Sequence, residues 1–167
     1  MKALLITAVE LCLLRRAPQD LPSSVFLLRL MVVLNLLLGI LILVANQSGI
    51  VSAVLETLFE LVLMFAVIYI AMSLMGKLPR FIQTATAILL SSLLPCLLML
   101  LLIVWGYRSE PPEPGLLLLV PVIWIIVVLG HIIRHTFVLP FSIGIAATLL
   151  YYIITWILEA LLFSVVV

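Results

Sequence analysis

The stretch IVSAVLETLFELVLMFAVIYIAMSLMG, Ile50 to Gly76, constrains this chain more than any other, because it is apolar for longer than a bilayer is thick and yet carries Glu56 and Glu60. A hydrocarbon core about 30 Å thick is crossed by roughly 20 helical residues rising 1.5 Å each, so the stretch is expected to span. A carboxylate facing acyl chains costs about 2.5–3.5 kcal/mol even on the lenient insertion scale, and two in one helix are expected to look inward. Glu56 and Glu60 stand one turn apart on a single face, and Ser52 extends that ridge. The other helices are expected to pack against it.

Of 167 residues, 67% are hydrophobic and 9% charged, with a mean hydropathy of +1.52. Soluble domains carry about 45–50% apolar and 25% charged residues. A water-soluble core is excluded, and no polar segment is long enough to form a second one. Residues 1–167 therefore read as a single membrane domain. The net charge of +1, with the basic residues scattered, argues against nucleic acid as a partner. Cys12 and Cys96 lie in apolar surroundings and read as packing residues, with no CxxC pair to suggest a disulfide framework or a metal site. No motif calls for a cofactor.

Residues 1–16, MKALLITAVELCLLRR, lack the small-residue cleavage site of a signal peptide and carry Glu10 within the apolar run. They are expected to form a short interfacial helix with Arg15 and Arg16 at the headgroups. Pro18 and Pro22 break it, and Ser23 or Ser24 can cap the first span, about 25–45. Within that span Arg29 can snorkel to the headgroups, whereas Asn35, near the middle, needs a partner helix. NQSG turns the chain into the second span, 50–76, and KLPR follows it.

The third span, about 83–107, holds Ser91, Ser92 and Pro95, and ends in the interfacial aromatics Trp105 and Tyr107. Pro95 leaves an upstream carbonyl unpaired and is expected to kink the helix. The loop RSEPPEPG, Arg108 to Gly115, reads as exposed and extended. The fourth span, about 116–134, ends in His131, Arg134 and His135, and the fifth, about 143–167, places Thr148, Tyr152, Thr155 and Glu159 in one polar stripe. The fold class is thus an all-α integral membrane protein, a bundle of five transmembrane helices with a short N-terminal interfacial helix.

Five spans put Lys2, Arg15, Arg16, Arg29, Lys77, Arg80 and Arg134 on one side and Arg108 alone on the other. The positive-inside rule then sets the N-terminus in the cytoplasm and the C-terminus in the periplasm of a bacterial inner membrane. By helical rise Asn35, Glu60 and Glu159 fall roughly 12–16 Å below the outer surface, with Glu56 one turn further out. A shared layer would let these polar groups satisfy one another, and neighbouring carboxylates there cannot all ionise. The cluster Asn35, Glu56, Glu60 and Glu159 suits a structural clasp, a docking ridge or a proton or cation site. Arg29, His131, Arg134 and His135 are expected to anchor anionic headgroups at the inner surface.

There is no GxSxG, HExxH or phosphate-binding loop, and neither Ser91 nor Ser92 has a base at its depth, so the chain reads as a non-enzyme. The short N-terminal segment, PQDLP just before the first span and five closely spaced helices with little extramembrane mass resemble the small bacterial members of the Yip-domain family. Of the Asp-Leu-Tyr-Gly-Pro signature of its eukaryotic members, only Asp20, Leu21 and Pro22 are present here. The resemblance implies a polytopic protein of membrane organisation that works through partners and carries no catalytic residues. The expected function is that of an accessory or structural inner-membrane protein docking on a larger assembly through its helix faces. Its partners would be membrane lipids and other integral membrane proteins, or further copies of itself. The alternative is a small transporter or proton-handling subunit built on Glu56, Glu60 and Glu159.

Overall fold

The computed structural model describes residues 9–106 and 115–163. Residues 1–8 of the expected interfacial helix, Tyr107, positions 108–114 of the proline-rich loop and positions 164–167 of the fifth span lie outside the described residues. Five long helices follow one another: α1 (Val25–Ala45), α2 (Ile50–Leu74), α3 (Phe81–Gly106), α4 (Leu119–Phe137) and α5 (Phe141–Phe163). Each is long and apolar enough to cross a membrane, and there are no strands among the described residues. The chain is an all-α, multi-pass bundle.

Local chemistry sets the helix ends. Ser24 caps α1 by accepting a hydrogen bond from the Leu27 amide at 3.3 Å, as an N-cap hydroxyl does for an otherwise orphaned donor. After α2 the left-handed residue is Gly76, at φ 65°, and the Lys77 amide reaches back to the Met72 carbonyl at 2.8 Å. This is a Schellman closure with the glycine where a side chain would be strained. α4 closes similarly on Val138 at φ 60°, with the Leu139 amide on the Arg134 carbonyl at 3.1 Å. Sequence placed the end of that helix at Arg134, but a basic last turn favours a helix terminus without ending it. Val138 and the following Pro140 form the actual stop.

α1 lies along α3, α4 along α5, and α3 joins the two pairs, while α2 packs on α1 and touches α3 and α5 only lightly. Lipid tails give helices no hydrophobic reason to associate, so close contact and interhelical hydrogen bonds must hold them. α4 and α5 cross where Gly144 meets the backbone of Gly130, and a Cβ on Gly144 would collide with the Gly130 carbonyl oxygen. α1 and α2 approach at Gly39, whose missing Cβ would lie 2.6 Å from the Thr57 methyl group.

The described part of the amino-terminal segment is more enclosed than a helix resting on headgroups would be. Leu11 and Leu21 belong to the hydrophobic core, beside Leu27, Met31, Met64, Ile88 and Ile132. Cys12 is also buried. The segment is tied to α3 and α4 largely through its own backbone. Trp124 Nε1 donates to the Cys12 carbonyl at 3.0 Å, Gln83 Nε2 to the Leu21 carbonyl at 3.1 Å, and His131 Nε2 lies 3.2 Å from the Arg16 carbonyl. A non-repetitive segment can enter a bundle only if its carbonyls find such partners.

Candidate functional site

The four polar residues singled out by sequence divide into two structures. Asn35 is a clasp. Its amide donates to the Met31 and Leu89 carbonyls, each at 2.8 Å, and its Oδ1 accepts from the Ser92 hydroxyl at 2.6 Å. Both amide hydrogens and the carbonyl are occupied, so Asn35 joins α1 to α3 with nothing left over.

The glutamates do not join that network. Glu56 and Glu60 from α2 and Glu159 from α5 line one half-open cavity of about 450 Å³ to which all five helices contribute. Its wall includes Ile42 and Leu43 from α1, Pro95, Cys96 and Met99 from α3, Pro121 and Val122 from α4, and Tyr152, Thr155 and Trp156 from α5. Glu159 interacts electrostatically with both Glu60 and Glu56. Among the described residues none of the three accepts a hydrogen bond, and the ion pair found there, Arg16 with Glu10 at 2.6 Å, lies elsewhere. The expected mutual satisfaction of Asn35, Glu56, Glu60 and Glu159 in one layer is therefore not how these side chains are arranged.

The cavity lies where α2 touches α3 and α5 only lightly. Towards its far end, Phe59 and Phe163 meet edge to face with ring centroids 5.9 Å apart. This bridges α2 to α5 and leaves the space beside Glu60 and Glu159 open. A second chamber of about 110 Å³ shares Gly39, Thr57, Glu60, Cys96 and Tyr152 with the first and reaches Asn35 and Ser92. The core residues Met64, Ile88 and Leu129 form part of its wall. Glu60 thus lines both chambers, with Glu56 and Glu159 on the larger and the Asn35 clasp on the smaller.

Thr57 donates to the Ala53 carbonyl at 2.7 Å. The Thr155 hydroxyl is buried with no hydrogen-bond partner among the described residues, although Tyr151, one turn back, approaches it. Of the stripe read from sequence, Tyr152, Thr155 and Glu159 face the cavity, while Thr148 donates to the Gly144 carbonyl at 3.0 Å inside the α4–α5 contact. Trp156 was not singled out by sequence. As an aromatic in an apolar helix it gave no signal, and only the fold sets it at the cavity.

The basic residues are spread rather than gathered. Arg29 and Arg134 are exposed. His131 is buried, facing the Arg16 carbonyl, with its ring 4.4 Å from that of His135. It holds the amino-terminal segment and does not present itself to headgroups. Lys77 Nζ donates to the Thr136 carbonyl at 2.9 Å and sits 5.8 Å from the Phe137 ring centroid. It thereby completes the end of α4 as a cation near a helix C-terminus does.

No protein-family model, curated protein or solved structure matches the chain.

Proposed function

We propose that this membrane protein binds a cation in the cavity lined by Glu56, Glu60 and Glu159 and exchanges it for protons held there by Glu60 and Glu159. This is the transporter or proton-handling alternative, now preferred to the accessory role. One observation carries it: three carboxylates from two helices face a single cavity and have neither hydrogen-bond donors nor cations from the described residues. Glu56 and Glu159 are half-buried and Glu60 is exposed beside the half-open cavity, and carboxylate charge within a membrane-spanning bundle that the protein itself does not balance falls to protons or a bound cation.

The distribution of Lys and Arg supports a cytoplasmic membrane with the N-terminus inside, which sets the cavity in the periplasmic half of the bilayer. The core at Met64, Ile88 and Leu129 would then separate the site from the cytoplasm, so that net transport needs α2 to move against α3. An accessory role of the Yip type, docking through helix faces, would be marked by a stoichiometric companion after mild extraction.

The test is proton release from purified protein in weakly buffered detergent as cations are added, compared with Glu56→Gln, Glu60→Gln and Glu159→Gln. Gln keeps the hydrogen-bonding shape but cannot titrate. Release that falls in the folded Gln variants supports the reading, and wild-type protein that releases no protons with any cation overturns it.

A further inference from the structure

We propose that the cation is organic: a lipophilic monocation with an aromatic or branched apolar body that reaches the cavity from the bilayer. The inference rests on the reading above and specifies its ligand.

Size argues first. A water takes about 30 Å³ of liquid volume, so a proton or a bare inorganic ion uses a small part of a cavity of about 450 Å³. Water filling the remainder would need two to four polar partners per molecule, and the wall between the glutamates is largely aliphatic, with Ile42, Leu43 and Met99 among its residues. Concave, mostly apolar cavities of about 300–1,000 Å³ with a few placed polar groups are what small organic ligands occupy.

The arrangement of carboxylates argues second. Among the described residues no three His, Cys, Asp or Glu side chains converge closely enough to hold a metal ion. Glu56, Glu60 and Glu159 surround the volume without meeting at a point. Such a distribution suits a diffuse charge carried within a larger body. Tyr152 and Trp156 add aromatic rings to the same wall, and ring faces attract ammonium and phosphonium-like cations, by about 2 kcal/mol when desolvated.

One further feature stands apart from the acidic cluster. Trp156 lines the cavity and is also 71% exposed, so it forms part of the rim. It lies within α5 (Phe141–Phe163), a helix long and apolar enough to cross a membrane, so that a bilayer around the bundle would set the rim among acyl chains. A solute that partitions into the bilayer can reach that rim, and a hydrated inorganic ion cannot do so cheaply.

The experiment is equilibrium binding of tetraphenylphosphonium to the full chain in lipid nanodiscs, with proton release recorded and NaCl, KCl and MgCl2 titrated in parallel. Saturable binding near one equivalent is expected, with proton release. Affinity should drop at least tenfold in Glu60→Gln and several-fold in Trp156→Ala. Because the Trp156 side chain is mostly exposed, its variant keeps the test valid should Glu60→Gln fail to fold. Proton release by the inorganic salts but not by tetraphenylphosphonium would overturn this inference and leave the cation-site reading standing. Silence with every cation would end both, as would a cavity found filled by a second copy of the chain.

Discussion

The Cys12 thiol donates to the Ser91 carbonyl at 3.3 Å, and Ser91 is the residue whose helical acceptor Pro95 leaves without an amide. A proline inside a helix removes the hydrogen bond to the carbonyl four residues earlier, and Pro95 is the proline inside α3. The amino-terminal segment therefore supplies the donor that the helix lacks, ten residues into α3, and Trp124 secures it by donating to the Cys12 carbonyl.

That relationship predicts a coupling. Cys12→Ala should cost about 1 kcal/mol, the net worth of a typical buried hydrogen bond. In a Pro95→Ala background, where an amide returns to serve Ser91, the same change should cost markedly less. A double-mutant cycle on thermal stability in detergent reads the difference, and strictly additive losses would refute the pairing.

Burial pushes the Cys12 thiol from its ordinary 9.0 to about 11. A pKa higher in the folded chain than in the unfolded one favours the fold while the thiol is protonated in both. The contribution is complete below pH 9 and is lost as the pH rises towards 11. At about 1.4 kcal/mol per pKa unit it amounts to at most about 3 kcal/mol. Stability measured against pH should fall less steeply above pH 9 in Cys12→Ser than in the parent, both in a Cys96→Ala background. Maleimide should label Cys12 in that background only on unfolding.

Gly144→Ala should destabilise by about 1–3 kcal/mol, because the added methyl group meets backbone at Gly130 and the helices must part to admit it. Gly39→Ala should cost less, and Thr57→Ser should relieve part of that cost, since its methyl is the nearest atom. Melting temperatures of the single and double variants check both.

Val138→Gly should stabilise by about 0.5–1 kcal/mol. The residue is 79% exposed and left-handed at φ 60°, a conformation a β-branched side chain tolerates poorly. A lowered melting temperature would contradict this.

The helices were legible because five apolar runs separated by Pro and Gly admit few other readings, and Asn35 announced its need for a partner by its depth. The enclosure of residues 9–22 was not legible. Its cause is a set of side chains far along the chain, Gln83, Trp124 and His131, that serve its carbonyls. The sequence placed Glu60 and Glu159 at similar depths but could not show whether they touch. That depended on the Phe59–Phe163 contact and the light packing of α2, which come from tertiary geometry.

The central claim is that Glu60 and Glu159 hold protons a cation displaces. Difference infrared spectroscopy of the protein in nanodiscs, with and without tetraphenylphosphonium, follows the carboxylic-acid C=O stretch directly. The account predicts that the protonated-carboxyl band is lost as the cation binds, and that Glu60→Gln or Glu159→Gln diminishes the loss. A cation that binds while the band stays unchanged, or a loss that persists when Glu56, Glu60 and Glu159 are all replaced by Gln, would contradict it.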